Sequence, residues 1–157
     1  IRDLFRLRKM VLLIPGNHES DEELDLATKG IDTIQNINYA KAVLDDYVFI
    51  GYGGGGFATE DKELLQIEKK LLKMIDEEKE KKLILLTHAP PYKTKLDDID
   101  GQPCGNKTLR AFIKKAKPVL VISGHLHENA GKKDKLEQSL LINPGPEGMI
   151  IDMHEES

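Results

Sequence analysis

Pro118 to His127 reads Pro-Val-Leu-Val-Ile-Ser-Gly-His-Leu-His, and the interpretation of the whole chain starts from this stretch. Val119 to Ile122 are four apolar, mostly β-branched residues, which is typical of a buried strand in a parallel sheet. Two histidines follow at positions i and i+2. In extended backbone such side chains leave the same face, so His125 and His127 can converge on one metal ion. Taken alone, however, an H-x-H pair is more often two surface histidines.

Two other stretches repeat this pattern of an apolar strand that runs into a polar turn. Met10 to Ile14 leads into Pro15-Gly16-Asn17-His18-Glu19, and Leu83 to Leu86 leads into Thr87-His88. Four of the five histidines therefore lie just beyond one of three apolar strands. Ligands of open α/β sheets bind outside the carboxyl ends of the strands. The clustering predicts one shared site and outweighs the surface interpretation of the pair.

Composition limits the class of protein. The 157 residues, 39% hydrophobic and 32% charged, predict a single globular domain over residues 1–157. A net charge of −4 disfavours nucleic acid and anionic membranes as partners. The single cysteine, Cys104, excludes an internal disulfide and favours a reducing cytoplasm. No apolar run reaches the length of a membrane span. The absence of tryptophan, with abundant lysine and glutamate, weakly indicates a thermophile.

Periodicity and capping residues predict the regular elements. Ser20 is a candidate N-cap, with Gly30 at the C′ position of the helix that it starts, and Asn106 is a second candidate N-cap. The predicted helices cover residues 21–29, 59–80 and 106–116. Besides the three strands already described, strands are predicted at 42–44, 47–50, 139–142 and 149–152.

A glycine-rich stretch, Gly51-Tyr52-Gly53-Gly54-Gly55-Gly56, matches the G-x-G-x-x-G pattern of dinucleotide-binding folds. The following helix opens with Glu60, Asp61 and Glu63, which would repel a pyrophosphate at its N-terminus. The next strand ends in Thr87-His88, without an acidic residue to hold a ribose. We therefore favour a loop whose glycines let the backbone pass close to the site.

Side chains after these strands can supply ligands for divalent metal ions that activate water. The candidate ligands are Asn17, through its amide oxygen, and His88, His125 and His127. His18 directly follows a ligand, so its side chain should diverge from the metal, which suits a general acid for a leaving group. Glu19 could orient His18, although capping of the following helix is at least as well supported.

The three motifs together resemble a known family. Gly16-Asn17-His18-Glu19, Thr87-His88-Ala89-Pro90-Pro91 and Gly124-His125-Leu126-His127, in this order, are similar to the last three motifs of the calcineurin-like metallophosphoesterases. Gly51 to Gly54 and Asn143-Pro144-Gly145-Pro146 resemble the Icc-related predicted phosphoesterases of prokaryotes. The resemblance implies a four-layer α/β/β/α sandwich with a dinuclear metal site. It also implies that Asn17, His88 and His125 ligate one metal, that His127 ligates the other, and that His18 acts on the leaving group.

The chain departs from this family at its start. The family's N-terminal D-x-H and G-D-x-x-D motifs, which would supply the bridging aspartate and most ligands of the other metal, do not precede Gly16 in this chain. Their absence corresponds to about two βα units, on the order of 60 residues. The favoured interpretation is a fragment that lacks its N-terminal part. A completing second chain, or a degenerate member with one weak metal site, is the alternative. Missing core strands would also expose a sheet edge and favour self-association into a homo-oligomer.

Three functions remain open from the sequence. The leading one is a metal-dependent phosphoesterase that hydrolyses a small phosphomonoester or phosphodiester with a metal-activated hydroxide. The second is a catalytically incomplete binding or scaffold module on the same fold. The third is a mononuclear zinc hydrolase that uses His88, His125 and His127. Nitrogen and oxygen ligands suit Mn, Fe, Zn, Co or Mg, and the sequence distinguishes neither the metal nor the substrate.

Overall fold

The computed structural model describes residues 9–153, which form ten strands and three α-helices. The helices are α1 (Asp21–Thr28), α2 (Lys62–Asp76) and α3 (Lys107–Ala116), and a short 3-10 helix covers His127–Asn129. The strands are β1 (Val11–Leu13), β2 (Ile34–Asn36), β3 (Lys41–Leu44), β4 (Tyr47–Tyr52), β5 (Lys82–Thr87), β6 (Asp98–Ile99), β7 (Gln102–Pro103), β8 (Leu120–Ser123), β9 (Lys133–Leu136) and β10 (Ser139–Ile142).

A six-stranded sheet forms the centre, with the strand order β3-β4-β5-β8-β10-β9. The four inner strands are parallel, whereas β3 and β9 pair antiparallel at the two edges. In the register between β5 and β8, Thr87 lies opposite Ser123, so the carboxyl ends of these strands are level. A separate sheet consists of β1 and β2, which are parallel with Val11 opposite Ile34. The short strands β6 and β7 form a hairpin.

Helices pack against both sheets. The larger core lies between the six-stranded sheet and helices α2 and α3, and it contains Ile50, Leu64, Leu71, Leu85, Leu109, Phe112, Val121 and Leu141. On the opposite face Ile84, Leu120 and Ile142 form a smaller cluster, against which Met149, Ile151 and Met153 pack while remaining partly exposed. Helix α1 lies beside β2, where the Asn36 amide donates to Asp21 and Asp25 at 2.6 and 2.8 Å. The predicted α/β class, with a central multi-stranded sheet and helices, is confirmed. Within residues 9–153, no helix has the length and apolar character that a membrane span requires.

The start of α1 follows the sequence prediction. The Ser20 hydroxyl accepts the Glu23 amide at 3.2 Å, and the Glu23 carboxylate accepts the Ser20 amide at 2.8 Å, which completes a capping box. Gly30 follows the helix at φ +78°, a conformation that glycine adopts without strain. Because Ser20 caps the helix, the alternative of Glu19 as the cap is wrong.

Helix α2 is shorter than the predicted range of 59–80. Its N-terminus is fixed by Asp61, whose carboxylate accepts the Leu64 amide at 3.0 Å, the Tyr52 hydroxyl at 2.6 Å and the Asn106 amide at 2.9 Å. Burial, followed by the hydrogen bond to Asp61, raises the pKa of Tyr52, so its hydroxyl stays protonated and donates. A carboxylate thus occupies the helix N-terminus where a dinucleotide pyrophosphate would bind, which argues against that alternative.

Some elements differ from the sequence prediction because tertiary contacts decide them. Met149–Asp152 is not a strand in the structure, and the alternating apolar residues Met149, Ile151 and Met153 instead pack on the smaller cluster. Strands β2 and β9 were not predicted. Strand β9 is mostly polar, and only its Leu136 is buried, so it lacks the apolar pattern of an inner strand.

Asn106 caps α3 as predicted, with its side chain accepting the Leu109 amide at 2.9 Å.

We expect Asp61→Ala to lower the free energy of unfolding by about 3 kcal/mol. The substitution removes a helix cap and leaves the buried Tyr52 and Asn106 donors without their acceptor. Urea denaturation measures the change, and Glu60→Ala, at the exposed neighbouring position, should change stability by less than about 0.5 kcal/mol. Equal effects of the two substitutions would contradict a stabilising role for this buried network.

Candidate functional site

The ends of β5 and β8 are joined by side-chain hydroxyls. The Thr87 hydroxyl donates to the Ala89 carbonyl at 2.9 Å and lies 2.8 Å from the Ser123 hydroxyl, which therefore donates to it. Both side chains are buried. The Gly124 amide also donates to the His88 carbonyl at 3.2 Å. These contacts hold the segments that carry His88 and His125 side by side at the carboxyl edge of the sheet.

Three of the four predicted ligands meet at this edge. The Asn17 amide oxygen lies 2.9 Å from His88 Nε2, and the Asn17 amide nitrogen lies 3.1 Å from His125 Nδ1. The two imidazole rings are in edge-to-face contact, with centroids 4.6 Å apart. We call Asn17, His88 and His125 the amide–imidazole cluster. It assembles residues from three separate motifs, as the strand pattern predicted.

The other two predicted site residues lie outside this cluster. His127 is exposed at the start of the 3-10 helix. With His125 it lines a cavity of about 240 Å³, whose opposite side consists of Asn143–Pro146. His18 is exposed beside Asn17, and within residues 9–153 no hydrogen bond joins it to the cluster. That its side chain diverges from the metal stays a prediction.

The backbone at His125 is strained. Its φ is +66°, in the left-handed region that residues other than glycine rarely adopt, and such conformations concentrate at functional sites. The strained turn is held by the Leu126 amide, which donates to Gly124, and by the buried Asn143 amide, which donates to the Leu126 carbonyl at 2.9 Å. Asn143 thus fixes the histidine loop. The sequence pattern did not predict this role for Asn143, although Asn-Pro-Gly-Pro is typical of an ordered turn.

The site favours neutral imidazoles. Burial, and then the neighbouring His125, lowers the pKa of His88. Burial, and then His127, lowers the pKa of His125. Both rings are therefore uncharged near neutral pH, which is the form that binds metal ions. His125 Nε2 is also buried without a hydrogen-bond partner, which is unfavourable unless a further group satisfies it.

These observations fit a divalent cation. One amide oxygen and two neutral imidazoles are suitable donors, and two ligands of one metal ion lie roughly 3 Å apart when metal–nitrogen distances are about 2.0–2.1 Å. The Asn17 amide oxygen and His88 Nε2, which are 2.9 Å apart, have a separation of this size. The 3.1 Å contact with His125 is made by the Asn17 amide nitrogen, which is not a metal donor. Across residues 9–153, no group of three or more histidine, cysteine, aspartate or glutamate side chains is placed to hold a metal. The third donor in the cluster is accordingly the amide of Asn17.

The glycine-rich loop passes next to this cluster, as predicted. A Cβ on Gly53 would lie 2.5 Å from Pro15 Cγ, so only glycine permits this approach to the first motif. The loop also places the Phe57 ring 4.3 Å from the His125 ring, measured between centroids. Phe57 was not identified from the sequence, because nothing in its local pattern distinguishes a site residue from an ordinary exposed phenylalanine.

Comparisons with known proteins agree with this geometry. Residues 1–129 match the family model of the calcineurin-like phosphoesterases. The uncharacterized protein MJ1162 of Methanocaldococcus jannaschii is 27% identical over 90% of this chain and 66% of its own length. The probable glycerophosphodiester phosphodiesterase GpdQ of Arcobacter nitrofigilis is 31% identical over 73% of this chain and 44% of its own length.

A solved structure supports the fold. The protein TT1561 of Thermus thermophilus superposes with a TM-score of 0.65 at 22% identity, covering 85% of this chain and 62% of that protein. The chain thus spans less than two thirds of the relatives that it matches. The family match nevertheless extends over most of the sequence and includes every residue of the amide–imidazole cluster. The chain belongs to the calcineurin-like phosphoesterase family.

Proposed function

We propose that this chain carries part of the active site of a metal-dependent phosphoesterase that hydrolyses a small phosphomonoester or phosphodiester. The observation that supports the proposal is the amide–imidazole cluster, where Asn17 bridges His88 and His125 through contacts of 2.9 and 3.1 Å. The family is one of phosphoesterases that generally use divalent metals, and GpdQ is described as a probable phosphodiesterase. The single cysteine is consistent with a cytoplasmic location.

The cluster residues would hold one metal ion through the Asn17 amide oxygen and the imidazoles of His88 and His125. When bound, a divalent cation acidifies water and withdraws charge from phosphoryl oxygens. His127, exposed beside His125, would contribute to a second metal ion. The second site would also need the aspartates that this chain lacks. The Thr87–Ser123 hydroxyl pair and Asn143 hold the ligand-bearing segments in place.

His18 would act on the leaving group. It is exposed next to Asn17, where a ring N–H could donate a proton to the ester oxygen as the phosphorus–oxygen bond breaks. Its role differs from that of the cluster histidines, which would ligate the metal ion. Removal of His18 should therefore affect the chemical step without releasing the metal.

The first test is metal binding and hydrolysis of a generic aryl phosphodiester in the presence of manganese. We expect His88→Ala and His125→Ala each to weaken metal affinity at least about tenfold, because each removes one nitrogen donor. His154→Ala, which changes the histidine outside the three motifs, is the matched control and should behave like the unaltered chain. Metal content is measured by atomic absorption and turnover by release of the aryl alcohol.

The same assay distinguishes the alternatives. It is repeated on a chain to which upstream D-x-H and G-D-x-x-D motifs have been added. If the extended chain binds no metal and shows no turnover, the enzyme proposal is overturned in favour of a binding or scaffold module. One zinc ion per chain, with cleavage of carboxylic esters or amides but not of phosphodiesters, would instead identify a mononuclear zinc hydrolase.

The second test concerns His18. In the active, metal-loaded protein, His18→Gln should reduce kcat by about 10²–10⁴-fold for an alkyl ester, whose poor leaving group requires a proton. The loss should be much smaller for a nitrophenyl ester, because that leaving group departs as an anion. Metal content should not change. Equal losses for both esters would contradict the assignment of His18 as the general acid.

A further inference from the structure

Phe57 is an exposed aromatic ring at the mouth of the amide–imidazole cluster. It is 67% exposed, although it is among the most apolar side chains of the protein. Its ring contacts His125 edge-on, with centroids 4.3 Å apart and an angle of 63° between the ring planes. A single exposed apolar residue is ordinary on a protein surface. Phe57 differs because it touches a proposed metal ligand.

The loop that carries Phe57 is anchored at Gly53 and closed by an internal turn hydrogen bond. The Gly53 amide donates to the Asn38 side chain at 2.8 Å, and the Ala58 amide donates to the Gly55 carbonyl at 2.6 Å. A Cβ on Gly55 would lie 2.7 Å from the Asn106 amide nitrogen, so the loop packs directly on the buried network around Asp61. Phe57 therefore contacts His125 from a loop whose backbone packs on the buried network around Asp61.

The same loop approaches Asn17. A Cβ on Gly56 would lie 3.7 Å from the Asn17 amide oxygen, which places the residue before Phe57 against the other side of the cluster. A phosphoryl group bound at the cluster would consequently have one substituent within reach of the Phe57 ring. An aromatic face is attractive to another planar ring through stacking and apolar contact, with little geometric preference for one ring type.

We propose that Phe57 is a specificity residue that selects phosphoesters with a planar aromatic substituent. The inference rests on the proposed function, because it requires the phosphoryl group to bind at the amide–imidazole cluster. Aryl esters and nucleotides share the chemistry that would be recognised, a flat ring attached near the phosphorus. Phe57 forms no bond to the reacting atoms, so its contribution is to affinity for one class of substituent.

The test uses equilibrium binding of non-hydrolysable phosphonates to the manganese-loaded protein, measured by calorimetry. Phenylphosphonate and cyclohexylphosphonate have the same anionic group and ring size, but only the former is planar and aromatic. A nucleoside 5′-phosphonate forms a third arm. We expect the unaltered protein to bind phenylphosphonate more tightly than cyclohexylphosphonate. Phe57→Leu should abolish this preference, with about a tenfold loss for the aromatic ligand.

Two further variants serve as controls. Phe57→Tyr retains an aromatic face and should preserve the preference. Leu65→Ala, which truncates an exposed apolar residue on α2, should leave all affinities unchanged. Loss of affinity for the nucleoside ligand alone would assign Phe57 to nucleobases, whereas loss for both aromatic ligands would assign it to planar rings in general.

An equal effect of Phe57→Leu on the phenyl, nucleoside and cyclohexyl ligands, or no preference of the unaltered protein for either aromatic ligand, would overturn the inference. The outcome is separable from that of the proposed function. Ring-selective binding without hydrolysis would leave Phe57 as a ligand-selecting residue in a non-catalytic site. Hydrolysis without ring selectivity would retain the phosphoesterase and remove only the role of Phe57.

Discussion

The parallel register between β5 and β8 is the constraint on which the site depends. It sets Thr87 opposite Ser123, and their buried hydroxyls bond across the gap at 2.8 Å. The residues that follow, His88 and the Gly124-His125 turn, then leave the sheet at the same level. A shift of one residue in either strand would turn one of these segments toward the opposite face. The close approach of the two imidazoles is thus a consequence of sheet pairing and of the hydroxyl link.

Buried polar networks hold the loops around this edge. Asp61 accepts hydrogen bonds from Tyr52, Asn106 and the start of α2, and so joins the glycine-rich loop to two helices. Asp97, which is 1% exposed, accepts three backbone amides, from Lys93, Thr94 and Gly105, in the loops after His88. Charge-assisted bonds of this kind are stronger than the exposed ion pairs of Lys41 or Lys114. The loops around the site are therefore specified by buried carboxylates.

The chain belongs to the phosphoesterase family, and its described site holds only part of the ligand set that the proposed metal centre would need. Two imidazoles and an amide are together in the described chain, and His127 lies at the exposed end of the same turn. The left-handed backbone at His125 and its buried, unpartnered Nε2 are unfavourable features in isolation. A loop shaped to bind a ligand would account for both the strained backbone and the unpartnered Nε2, because the free energy of binding can offset their cost. The exposed Phe57 ring contacts His125 in the same loop region.

Much of the secondary structure and the clustering of the site residues could be predicted from local sequence. The Ser20 and Asn106 caps and the inner strands were predictable, since each depends on neighbouring residues only. The three strand–turn motifs also indicated a shared site, because parallel strands present their carboxyl ends at one edge. The early start assigned to α2 and the strand assigned to Met149–Asp152 were wrong, because buried Asp61 and packing on the smaller cluster decide those segments.

The sequence by itself therefore determined the α/β class, the helix caps and which residue types reach the edge of the sheet. Only the tertiary structure decided that Asn17 lies between His88 and His125, that His127 stays exposed, and that Phe57 contacts the His125 ring. Asn17 and His125 are 108 residues apart, so their contact depends on how distant segments pair. Local propensity carries no information about that pairing, whereas strand register and buried hydrogen bonds specify it.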